Sequence, residues 1–130
     1  MGKPQIIIAE PNTLQGKLLT FRLENEGYSV TLCRNGSALK TACTSATPEI
    51  IIVNDLIDLK TSDLELPINN SEKGNIPLIV IESFHTLKSN DKTENHLAHA
   101  RILSPVSPAE LIAQIEALLN KNEFFLAVQK

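Results

Sequence analysis

The chain has 130 residues, 42% hydrophobic and 21% charged, with a formal net charge of -3. That is one domain's length, enough to bury about two-thirds of the unfolded surface, and the composition excludes an intrinsically disordered chain. A pI near 5.6 excludes nucleic acid as the main partner, because phosphate binding needs clustered positive charge.

The start MGKPQIIIAE runs straight into a strand-like segment rather than a secretory leader, and Ile6 stands where a myristoylation signal needs Ser or Thr. Apolar runs reach only four or five residues, too short for a bilayer span. Two cysteines, Cys33 and Cys43, supply neither a disulfide framework nor a zinc site. The expectation is a cytoplasmic protein with no membrane partner.

In chain order, Gln5–Glu10 is the first predicted strand. Asn12 caps a helix, with Gln15 placed to complete a capping box. Leu14, Leu18 and Phe21 form its apolar stripe, and Gly27 is the stop. Tyr28–Cys33 is a mixed strand and Ala38–Thr44 a second helix. Glu49–Asn54 is a continuous apolar strand. Ser62–Glu65 starts like a helix, which Pro67 limits to about one turn. Pro77–Glu82 is a second continuous strand, followed by the polar stretch Ser83–His99 with at most a short helix after Asp91. Arg101–Leu103 is a short last strand. Ser107, Pro108 and Glu110 then open the clearest helix, with Leu111, Ile112, Ile115, Leu118 and Leu119 as its stripe.

The first, third and fourth strands are continuous Ile/Val/Leu runs, the pattern of strands covered on both faces of a parallel sheet. The second and fifth are mixed or short, as edge strands are. The order 2-1-3-4-5 follows, in a doubly wound α/β domain whose third and fourth helices are shortened or irregular. Residues 1–130 form a single domain, with a core over 5–120 and a tail over 121–130. In that tail Phe124, Phe125 and Leu126 either continue the helix onto the body or meet a second subunit or a partner domain.

Sites in such sheets lie beyond the carboxyl ends of the strands. Here those positions are Glu10-Pro11, Asn54-Asp55, Glu82-Ser83 and Ser104-Pro105. With the acid closing IIIAE, the run from Pro48 through Val53, the run from Pro77 through Ile81, and Pro105-Val106 followed by Glu110-Leu111, the chain resembles the CheY-like receiver domain of two-component response regulators. The resemblance spans residues 5–120 and implies a flavodoxin-like fold and a phosphorelay signalling role. It also implies functional positions, and nearly all of them are changed. The acid pair becomes Glu10 and Pro11. The phosphoacceptor position falls on Asn54, the hydroxyl position on Glu82, the lysine position on Ser104, and the switch aromatic on Arg101.

Each change acts against phosphoryl transfer. An amide is not a carboxylate nucleophile. Glu10 alone, beside a neutral oxygen donor, is a weak magnesium site. Ser104 brings no positive charge, and Glu82 adds a negative one. The expectation is a degenerate pseudo-receiver, not an enzyme, with no cofactor, acting through protein contacts. The resemblance implies a partner face made of the fourth helix, fifth strand and fifth helix: Asp91–His99, Arg101 and Ser107–Asn120, including Glu110. The fifth helix and the tail are the surfaces for a homodimer.

Two alternatives stay open. A one-residue slip would bring Asp55 and Ser83 into the site as phosphoacceptor and hydroxyl, against the period-two alternation of strands. The vacated crevice near Glu10, Asn54, Glu82 and Ser104 would otherwise hold a small molecule. The remaining candidates read as structure. His96 and His99 with Glu94 are a solvated polar helix, and Cys33 and Cys43 are small buried hydrophobes. Ser83 and His85 lack the third member of a hydrolase triad. The resemblance implies a cis peptide at Ser104-Pro105. Glu10 is either a polar strand end or a residual cation contact.

Overall fold

The computed structural model describes residues 2–45, 47–58, 76–82 and 98–128, with 121–128 described as backbone only. Five strands, β1 (Gln5–Ala9), β2 (Ser29–Cys33), β3 (Ile50–Asn54), β4 (Leu78–Glu82) and β5 (Ala100–Leu103), alternate with helices α1 (Thr13–Asn25), α2 (Gly36–Ser45) and α3 (Pro108–Val128). The strands pair in parallel in the order β2-β1-β3-β4-β5, the expected flavodoxin-like winding. The predicted elements around Ser62–Glu65 and after Asp91 lie outside the described residues.

The three apolar runs occupy the centre of the sheet. Every residue of β3 and β4 is buried, whereas β2 and β5 each have one buried residue, the others being exposed or partly buried. Successive side chains point to opposite faces, so the Ile-rich runs feed two cores at once. On one face Ile6, Ile8, Ile50, Ile52, Ile79 and Ile81 meet Leu19 and Leu23 of α1 and Leu111, Ile112 and Ile115 of α3. On the other, Ile7, Ile51, Val53 and Val80 pack with Leu39, Ala38 and Ala42 of α2. Each fully buried Ile contributes roughly 1.5–3 kcal/mol.

The face of α1 differs from the predicted one. Leu14, Leu18 and Phe21 are 69%, 59% and 66% exposed, and Gly16, Leu19 and Leu23 are buried instead. At 100° per residue the buried set lies about 165° around the helix from the Leu14–Phe21 stripe. The cause is a close approach. A Cβ on Gly16 would lie 3.0 Å from Leu32 and 3.6 Å from the Glu10 side chain, so the helix meets β2 where it has no side chain. Gly27 does end this turn, at φ 100°.

At the other end of the domain, the Ser107 Oγ accepts from the Glu110 N–H at 3.4 Å and the predicted stripe of α3 faces the core. The helix runs on to Val128, so the predicted tail is helical backbone through that residue. Both cysteines pack with the second core as expected, Cys33 buried and Cys43 partly so.

Candidate functional site

Parallel pairing of β1 with β3 sets Ala9 beside Val53. The next residues, Glu10 and Asn54, therefore share the face of Ile8 and Ile52 at the carboxyl edge of the sheet. Both are buried, at 1% and 4% exposure. The Asn54 Nδ2 donates to the Glu10 Oε1 at 2.9 Å. The Gln15 Nε2 donates to the same oxygen at 2.6 Å, and the Asn12 backbone N–H donates to Oε2 at 3.0 Å. The Asn54 carbonyl oxygen is used as well, accepting from the Leu56 N–H at 2.9 Å. A buried carboxylate without partners would be costly; here neutral donors satisfy both oxygens.

This network corrects the predicted capping box. The Asn12 Oδ1 caps α1 by accepting from the Gln15 N–H at 2.9 Å. The return bond is absent, because the Gln15 side chain and the Asn12 N–H both turn to Glu10. Gln15 and Asn12 are thus site residues that the capping reading hid. The available signal was a single strand-end acid followed at once by polar amide side chains.

Asp55 opens the turn after β3, its N–H donating to the Ile81 carbonyl at 2.9 Å. The β3–β4 register runs from Ile51 against Leu78 to Asn54 against Ile81 with no inserted residue. Pro11 is exposed, and Ser83, His85, Glu94 and His96 lie outside the described residues.

Glu82 is not part of the Glu10–Asn54 network. It follows Leu78 and Val80 in alternation, which places it on the opposite face of the sheet. There its Oε1 pairs with the Arg101 Nη1 at 3.4 Å, across the β4–β5 ladder that sets Val80 beside Arg101. The Ser104 N–H donates to the Glu82 carbonyl at 2.8 Å, and the Ser104-Pro105 peptide is cis, as the resemblance implied. Glu110 is exposed on the first turn of α3. His99 has a structural role: its N–H donates to the Leu78 carbonyl at 2.7 Å, and its Nδ1 accepts from the Leu78 N–H at 3.0 Å.

The fit to magnesium is poor. That ion needs a cluster of oxygens with carboxylate charge, and it dehydrates reluctantly. Glu10 has both oxygens engaged by N–H donors, and the Asn54 carbonyl is spent on Leu56. Among the described residues no three His, Cys, Asp or Glu side chains are grouped to hold a metal. The thiols are also unreactive in character. Burial raises the Cys33 thiol, and burial together with the neighbouring Cys33 pushes Cys43 up to about 11.

No family model matches the chain, and no curated protein matches it. Solved structures do. A CheY-like response regulator receiver domain protein from Methanospirillum hungatei is 22% identical, with a TM-score of 0.79, covering 94% of this chain and 98% of that one. The receiver domain of a sensor histidine kinase from Pseudomonas aeruginosa, solved with magnesium in its active-site cleft, is 17% identical with a TM-score of 0.77 over 92% of this chain and 99% of that one. Full-length FixJ from B. japonicum is 17% identical with a TM-score of 0.76 over 93% of this chain, which spans 60% of FixJ. The chain has the receiver fold. Among the described residues no helix is long and apolar enough to cross a membrane.

Proposed function

We propose that this protein is a pseudo-receiver: a cytoplasmic signalling module of the two-component type that lacks a phosphoacceptor and works through protein contacts. The observation that carries the reading is the 2.9 Å bond from the Asn54 amide to Glu10. In a phosphorylatable receiver the matching side chain must be a free carboxylate that attacks phosphorus beside a metal ion. Here it is an amide, and it occupies the acid that would anchor the metal. The module is not an enzyme and needs no cofactor.

Its partner is a protein, engaged through the β5 and α3 side of the domain, with Arg101 and Glu110 at its edge. Arg101 keeps its guanidinium at the surface while bonded to Glu82, so it presents a fixed charge where a receiver's aromatic ring would rotate. A metabolite pocket is the weaker reading, because Glu10 and Asn54 are already bonded to each other and Glu82 turns to Arg101 on the opposite face.

Intact-mass spectrometry after acetyl phosphate and Mg²⁺ tests the proposal, alongside amide NMR with beryllofluoride. The expected result is no phosphoryl addition and no shifts at Glu10, Asn54, Asp55 or Leu56. Addition that Asp55→Asn abolishes would overturn it and make Asp55 the phosphoacceptor.

A further inference from the structure

The exposed stripe of α1 is a ridge without a core to fill. Leu14, Leu18 and Phe21 stand at 69%, 59% and 66% exposure, spaced four and three residues apart, so they align along one line of the helix. Scattered exposed leucines need no explanation, but three large apolar side chains in register do. Helix α3 covers the same face of the sheet and packs beside α1. Its solvent side is the reverse in shape. Ala109, Ala113 and Ala117 are exposed at four-residue spacing, a shallow groove where the neighbouring helix has a ridge. The ridge from Leu14 to Phe21 is about 10 Å long and the groove from Ala109 to Ala117 about 12 Å.

The charges are complementary too. Lys17 and Arg22 flank the ridge on either side, with the exposed Glu24 beyond Phe21 on the Lys17 side, and among the described side chains Glu110 and Glu116 flank the groove. The two pairs are five and six residues apart, about 8 and 9 Å along their helices. A single chain cannot join its own ridge to its own groove, because both point away from the same sheet. A second copy turned by a two-fold axis can. We infer that this protein self-associates as a symmetric dimer in which the Leu14–Leu18–Phe21 ridge of each copy lies in the Ala109–Ala113–Ala117 groove of the other. Lys17 and Arg22 then face Glu110 and Glu116 across the interface. The surface is isologous: it is used twice and closes on itself. Buried apolar side chains supply the affinity, and the charges fix the register. Asn54 and Arg101 lie outside this interface, whereas helix α3 and Glu110 are shared with the proposed partner face, so a homodimer would compete with a partner there.

Sedimentation equilibrium of the full chain, over roughly micromolar to several hundred micromolar, reads the mass directly. The expected weight-average mass rises from 14.3 kDa toward twice that value. Leu18→Asp, at an exposed position that leaves the fold intact by circular dichroism, raises the dissociation constant about tenfold or more. Two charge-reversal chains give the sharper test. Lys17→Glu with Arg22→Glu makes one, and Glu110→Lys with Glu116→Lys makes the other. Each alone places like charges on both halves of the interface and runs as a monomer. Mixed, they place opposite charges on both halves and form a heterodimer. A mass fixed at the monomer value up to the highest concentration overturns the inference. So does a dimer indifferent to Leu18→Asp, or a mixture that stays monomeric.

Discussion

Asn54→Asp puts the reading of the site under the greatest strain. It exchanges a donor 2.9 Å from the Glu10 Oε1 for an acceptor that carries charge. Losing a hydrogen bond to a carboxylate costs about 1.5–3 kcal/mol. Two unit charges about 4 Å apart repel by about 4 kcal/mol at the effective dielectric suited to protein sites. Side-chain rotation and uptake of a shared proton relieve part of that, so the expected loss at pH 7 is about 3 kcal/mol. For a domain this size that is a fall of about 10 °C in Tm.

The pH dependence has a definite sign. Repulsion raises the carboxyl pair of the variant above its unfolded pKa. The deficit relative to wild type is therefore fully present above the raised value and shrinks as pH falls through it. The pair is also a better magnesium site than Glu10 alone, and at one hundred times the Kd magnesium would return about 2.7 kcal/mol. Thermal denaturation across pH, with and without Mg²⁺, measures all three effects. A variant as stable as wild type at pH 7, or magnesium stabilising both proteins equally, would refute the reasoning.

Other changes follow from the same contacts. Gln15→Ala removes the 2.6 Å donor to the buried Glu10 and should cost about 1.5–3 kcal/mol in urea unfolding, against a few tenths for an exposed helix position. Arg101→Ala leaves Glu82 unpaired at 8% exposure, but the arginine is 37% exposed and screened; the expected loss is about 1 kcal/mol or less, and it should vanish in a Glu82→Gln background. With the Cys43 thiol held up to about 11, alkylation by iodoacetamide at pH 8 should be far slower in the native protein than in denaturant, accelerating about tenfold per pH unit toward that value. Equal native and denatured rates at pH 8 would contradict the burial that raises it.

The sheet was legible because its signal is repeated. Three runs of Ile, Val and Leu can be buried on both sides only at the centre of a parallel sheet, which left β2 and β5 for the edges. Helix α3 was legible for a similar reason, since its stripe has an unambiguous helical period behind a Ser-Pro start. Helix α1 was misread because it holds two apolar sets, Leu19 with Leu23 and Leu14 with Leu18 and Phe21, and periodicity does not say which one the body takes. A glycine decides it. Gly16 permits the close approach to Leu32, and glycine adds nothing to a hydrophobic pattern. At the site the sequence identified Glu10 and Asn54 as neighbours but not the donors on them. Gln15 carries two legitimate roles at that spacing, and only the position of the buried Glu10 carboxylate selects one.

The polar residues at the strand ends are organised in matched sets rather than scattered. An amide at position 54 would be an idle buried group without an acceptor, and Glu10 would be an unsatisfied buried acid without donors; together with Gln15 and Asn12 they use all the hydrogen-bonding atoms of the Glu10 carboxylate. Across the sheet, Glu82 would be a poorly solvated charge at the end of a fully buried strand, and Arg101 lies two rungs away on the same face to meet it. Each set is more stable complete than with one member removed, the buried Glu10 network by more than the half-exposed Arg101 pair. Placing a carboxylate at position 54 therefore adds an oxygen ligand for a cation at the expense of one network. It leaves the Glu82–Arg101 pair intact. Such pairing explains how a chain with the receiver fold packs buried polar groups at its strand ends.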